Sequence, residues 1–67
     1  MQIELNGEST TVPEEVSLLS DLILFLSLTA ERLAVEVNRQ VVRKKDWSTT
    51  ALKAGDQVEI VHFVGGG

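Results

Sequence analysis

The chain has 67 residues, 43% of them apolar and 24% charged, with a formal net charge of −4, the balance of one small folded domain rather than of a disordered segment. A radius of gyration of roughly 11 Å follows from the compactness rule, which leaves no room for a pocket of ~300 Å³ that encloses a substrate. The absence of cysteine excludes disulfides, thiolate zinc sites and a cysteine nucleophile, and a single histidine, His62, makes a metal centre a poor expectation.

Met1, Ile3 and Leu5 alternate with Gln2, Glu4 and Asn6, the period of a half-buried strand. Met1 is not followed by a basic segment leading into an apolar run, so no secretory leader is expected and a cytoplasmic location is the default. Asn6-Gly7 supplies the positive φ angles of a two-residue hairpin turn, so a second, antiparallel strand is predicted over residues 8–12, which Pro13 either ends or places at an edge of the sheet. From Leu18 to Leu28 the period changes. Leu19, Leu22, Ile23 and Leu26 follow the spacing of one helical face, with Leu18 and Phe25 widening the stripe and Ser17 as the N-cap. The run is far shorter than the ~20 residues that cross a bilayer, and no membrane partner is expected. Leu24 falls on the polar side of this helix and is predicted to be exposed.

Leu33, Val35 and Val37 give a third strand, Asn38-Arg39-Gln40 a turn, and Val41-Val42-Arg43 the start of the return. Arg43-Lys44-Lys45 is the only basic cluster, and without stacking aromatics beside it no nucleic-acid partner is expected. Trp47 reads as an anchor tying a loop or single helical turn to the core, the alternative being an interface residue. After the Gly55-Asp56 turn the last strand runs from Gln57 to Val64, with Val58 and Ile60, then His62 and Val64, on the face the alternation buries. Glu59, Val61 and Phe63 point the other way. With one helix available to cover one face, Val61 and Phe63 are expected to form an exposed apolar patch that docks a partner, unless the segment from Lys44 to Ala54 folds over them.

The sequence ends Gly65-Gly66-Gly67. At an average glycine frequency near 7%, three in a row at one chosen place occur by chance roughly 3 times in 10,000. Glycine weakens a strand and loses the most entropy on ordering, so these residues suit a thin, flexible tail. Extended, they reach about 10 Å past the last strand, through a slot that a β-carbon would block, and present the Gly67 carboxylate. A carboxylate becomes an acyl donor only once its oxygen is made a leaving group, as adenylation by ATP does. The chain carries no phosphate loop of its own, so a partner must perform that step. An engineered or frayed tail is the plainer alternative.

The element order and the Gly-Gly terminus resemble the ubiquitin-like β-grasp. Residues 34–42, Ala-Val-Glu-Val-Asn-Arg-Gln-Val-Val, then Trp47, then residues 55–60, Gly-Asp-Gln-Val-Glu-Ile, and the glycine terminus are similar to the ThiS family, sulfur carriers of thiamine thiazole synthesis. The resemblance covers essentially the whole chain, which has three terminal glycines where the motif has two. It implies an α+β fold, a mixed four- to five-stranded sheet with one helix on one face, with residues 1–64 the β-grasp domain and 65–67 the flexible tail. It further implies a protein co-substrate rather than an enzyme. An E1-like adenylating enzyme would use ATP to activate Gly67, a persulfide donor would convert it to a thiocarboxylate, and thiazole synthase would take the sulfur. On this reading the chain binds no cofactor, Gly65 and Gly66 thread the partners' active sites, and Val61, Phe63 and Glu59 form the partner interface. The small subunit of molybdopterin synthase, a lysine-conjugated protein modifier and a non-covalent binding module are the competing readings.

Overall fold

A computed structural model describes residues 1–29 and 31–63. In chain order it comprises β1 (Gln2–Leu5), β2 (Glu8–Thr11), α1 (Leu19–Phe25), β3 (Leu33–Val37), β4 (Gln40–Val41), a 3-10 helix (Lys44–Thr49) and β5 (Gln57–His62). The strands form one sheet in the order β2-β1-β5-β3-β4. The central pair, β1 and β5, is parallel; the other three pairs are antiparallel. The mixed five-stranded sheet with one covering α-helix is the β-grasp arrangement that the element order predicts.

The β1–β2 connection is the expected two-residue turn, with Asn6 at φ +50° and Gly7 at +84°, a twist that matches the strands it joins. The β3–β4 turn is of the same kind but contains no glycine: Asn38 and Arg39 sit at φ +52° and +71°, and Gln40 already pairs with Val37. The predicted three-residue turn is therefore one residue shorter, and β4 covers Gln40–Val41 rather than starting at Val41.

The helix ends three residues before the apolar run does. Ser27 takes a left-handed φ of +58°, its N–H bonds the Leu24 carbonyl at 3.0 Å, and the Leu28 N–H bonds that of Ile23 at 3.1 Å. This paired closure satisfies carbonyls that the helix leaves open and turns Leu28 back onto the core. At the other end Ser17 is not the cap expected of it. Leu18 holds that position, and the Asp21 carboxylate accepts the Leu18 N–H at 3.0 Å and the Ser17 N–H at 3.3 Å. Asp21 in the first turn also suits the positive end of the helix dipole.

Leu19, Leu22 and Ile23 are buried against Ile3, Val35, Val58 and Ile60 of the sheet, with Val12, Val16, Trp47 and Leu52 closing the sides. Phe25 departs from expectation, being 47% exposed: at 3.6 residues per turn it lies roughly a third of a turn from the centre of the stripe that Leu19, Leu22 and Ile23 define. Leu24 is 76% exposed, as predicted. Trp47 is the anchor: it is buried, and its Nε1–H donates to the Val42 carbonyl at 3.0 Å. The resulting radius of gyration is 11.3 Å.

Candidate functional site

The sheet has one face under α1 and one that is open. Cross-strand partners share a face, so the registers place Glu4 beside Gln57, Glu36 beside Glu59, and Ala34 beside Val61 on the open side. Glu4, Glu36, Glu59 and Arg39 border an open depression of about 250 Å³, floored by β5. Three carboxylates and one guanidinium thus meet at one end of this face. Towards the end of β5 the character changes. Val61 and Phe63 are 56% and 53% exposed, and the 3-10 helix packs against α1 rather than over them. The segment from Lys44 to Thr49 is therefore not their cover.

Of the residues singled out in the sequence, Glu59 and Val61 lie on the open face of β5, and Phe63, one residue past the end of the strand, is exposed. His62 is a correction. The alternation groups it with Val58 and Ile60, but it is exposed; it pairs with Leu33, the first residue of β3, at the end of the sheet and beyond the last row that the short helix covers. The β5 strand stops there, short of the predicted Val64. Val64 and the glycines Gly65, Gly66 and Gly67 lie outside the described residues. Sequence reasoning did not single out Glu4, Glu36 and Arg39 as neighbours of Glu59; the signal was present in the alternation, but it required the strand order to be used.

Side-chain bonds hold β5 at two places. The buried Asp56 carboxylate accepts the Lys53 N–H at 2.8 Å and the Asn38 Nδ2–H at 3.1 Å, while Asn38 Oδ1 accepts the Gln57 N–H at 3.0 Å. These contacts pin the start of β5 to the β3–β4 turn. Four residues on, Asn6 Oδ1 accepts the Ile60 N–H at 2.8 Å, and its Nδ2–H donates to the Ile60 carbonyl at 3.2 Å. Among the described residues there is no cluster of metal-ligating side chains, and no helix is long and apolar enough to cross a membrane. Among the described residues the arrangement offers an open surface crossed by β5.

The ThiS family model matches residues 2–67. The chain belongs to the ThiS family. It is 32% identical over 65 residues to the sulfur carrier protein ThiS of Bacillus subtilis, covering 97% of this chain and 98% of that one. A thiamine biosynthesis protein, ThiS, of Geobacter metallireducens has the same fold, with a TM-score of 0.86, 36% identity and full coverage of both chains. The chain is also 40% identical over its whole length to a thiazole synthase of Magnetococcus marinus, of which it spans only 20%. In that protein a ThiS-like segment is therefore part of a much longer polypeptide.

Proposed function

We propose that this chain is the sulfur carrier of thiazole formation in thiamine biosynthesis, with the Gly67 carboxylate as the loaded group. The observation that carries the reading is the end-to-end match to the ThiS family, including a Bacillus subtilis relative named as a sulfur carrier. The chemistry follows from the tail. A Gly67 carboxylate oxygen attacks the α-phosphorus of ATP on an E1-like adenylating enzyme, and pyrophosphate leaves. The terminal sulfur of a protein persulfide then displaces AMP from the acyl adenylate. The bond formed is C–S, and the acyl group is then held through the S–S bond of the original persulfide. A thiol attacks the donor's sulfur, forming a disulfide with it and releasing the thiocarboxylate, which surrenders its sulfur to thiazole synthase. Beyond the reacting Gly67 carboxylate itself, no side chain of this chain serves as acid, base or nucleophile in these steps; the chain is a co-substrate, and ATP belongs to its partner.

The remaining parts of the molecule suit that role. Gly65 and Gly66 add no β-carbon to the segment that must enter an active site, and β5 delivers them from a sheet face that no described element covers. Val61, Phe63 and Glu59 would meet the partner first. Thiazole synthase is favoured as acceptor over a molybdopterin synthase large subunit or a substrate lysine because two thiazole synthases, from Magnetococcus marinus and Paramagnetospirillum magneticum, each contain a segment similar to this whole chain.

Mass spectrometry after incubation with ATP, the adenylating enzyme and a persulfide donor tests the proposal. The expected product has one terminal oxygen replaced by sulfur, and it loses that sulfur to thiazole synthase. Removing Gly66 and Gly67 should leave the fold intact and abolish loading. An intact chain that stays unmodified with its cognate enzyme excludes the carrier role.

A further inference from the structure

The parallel β1–β5 ladder stops early. Glu4 pairs with Gln57 and Leu5 with Val58, after which β1 leaves the sheet at Asn6-Gly7 while β5 continues to His62. On its β3 side the end of β5 remains paired, Val35 with Ile60, Ala34 with Val61 and Leu33 with His62. On the β1 side, Asn6 takes over. Its backbone N–H bonds the Val58 carbonyl at 2.9 Å, and its side-chain amide bonds both the N–H and the carbonyl of Ile60, at 2.8 and 3.2 Å. A carboxamide carries the same donor and acceptor as a peptide group, so the side chain acts as one more residue of β1 where the backbone has already turned away. Asparagine is among the few residues that also tolerate the left-handed φ this turn position requires.

We propose that Asn6 is a positioning residue for the C-terminal tail, setting the last point at which β5 is held on both sides and hence the direction of the strand end, held on its β3 side alone, that leads to the tail. The inference rests on the carrier reading of that tail. The seven residues after Ile60 reach at most about 24 Å, and over a reach of that order a small pivot at Ile60 becomes a large displacement of the Gly67 carboxylate. Any freedom the end of β5 keeps in the free chain is lost when the tail enters a partner, which weakens productive binding without altering the chemical step. Asn38 is the natural control. It also makes two side-chain bonds at the opposite end of β5, accepting the Gln57 N–H and donating to the Asp56 carboxylate, from the same left-handed turn position.

Asn6→Gly keeps the turn and removes the amide; Asn38→Gly does the same at the tail-distal end. Hydrogen exchange followed by NMR should show the Ile60 amide of Asn6→Gly exchanging about 2- to 12-fold faster, the effect of losing one hydrogen bond, with smaller changes at Ile3 and Val35. In pyrophosphate release by the adenylating enzyme, Asn6→Gly should raise KM by about 3- to 10-fold with kcat within about 2-fold, the signature of lost binding rather than lost chemistry. Asn6→Asp, which retains the acceptor for the Ile60 N–H, should fall between Asn6→Gly and the parent chain. Asn38→Gly should lose stability to a similar extent with KM unchanged. Equal KM values for the Asn6→Gly and Asn38→Gly chains, or unaltered exchange at Ile60, overturn the positioning role. Failure of the parent chain to support pyrophosphate release overturns the carrier reading instead, and the positioning role with it.

Discussion

Beneath α1 the strands contribute Ile3, Val35, Val58 and Ile60 to a closed apolar layer, whereas one residue along the same strands the open face presents Glu4, Glu36, Glu59 and Val61. Both faces come from a single alternation, yet only the first is arranged for stability. Opposed β-branched and aliphatic side chains reinforce one another on the covered side. On the open side Glu36 stands directly across from Glu59, a like-charge pairing that costs the fold, and two large apolar residues are left in water. The covered face makes the domain; the open face spends part of that stability on a surface that suits recognition. Substitutions on the two faces should therefore separate folding from docking.

The largest effect is expected on the covered side. Leu22 is fully buried against the sheet, and Leu22→Ala should cost about 2–5 kcal/mol, most of the stability of a domain this small. Urea denaturation should show much or all of the chain unfolded, with sulfur loading lost in proportion. A second test crosses to the open side. Phe63→Asp should leave the unfolding free energy measured in urea within about 0.5 kcal/mol of the parent chain, since the side chain is half exposed. It should weaken binding to the adenylating enzyme or to thiazole synthase by about 10-fold or more. Unchanged affinity for both would remove Phe63 from the interface.

The same contrast governs what the sequence disclosed. Alternation in residues 1–5, 33–37 and 57–64 predicts three strands, the last of which ends at His62 in the structure, and the buried identities of Ile3, Val35, Val58 and Ile60, because a period of two reports directly on which face is covered. Asn6-Gly7 disclosed its turn, since glycine marks the positive φ; Asn38-Arg39 adopts the same turn with an arginine in that position, and its length was misjudged. The helix end was hidden for a similar reason: Ser27 takes the left-handed position that glycine usually occupies, so the leucines on both sides looked like one continuous stripe. Long-range placement was the least legible. Glu4, Glu36 and Glu59 become neighbours only once β5 is inserted between β1 and β3, and the partner of the Asn6 side chain is 54 residues away. No local pattern records either fact.

The smallest predicted effect bears most directly on the difference between the faces, because its sign is opposite to that of an ordinary substitution. If the Glu36–Glu59 opposition costs stability, Glu36→Gln, which keeps the side chain's size and removes its charge, should stabilise the fold by a few tenths of a kcal/mol, within the ~0.2–1 kcal/mol range of cross-strand pairs. Both groups are near solvent, so the gain should be greatest at low ionic strength and fade as salt approaches ~1 M, where the screening length is about 3 Å. Glu59→Gln should give a similar gain. The double substitution should give little more than either alone, because one neutral partner already removes the repulsion. Arg39 borders the same depression and is the competing influence: where its charge outweighs the repulsion, each single substitution lowers the urea midpoint. That result would mean the open face balances its own charges, leaving the exposed Val61 and Phe63 as the part of it held at a cost.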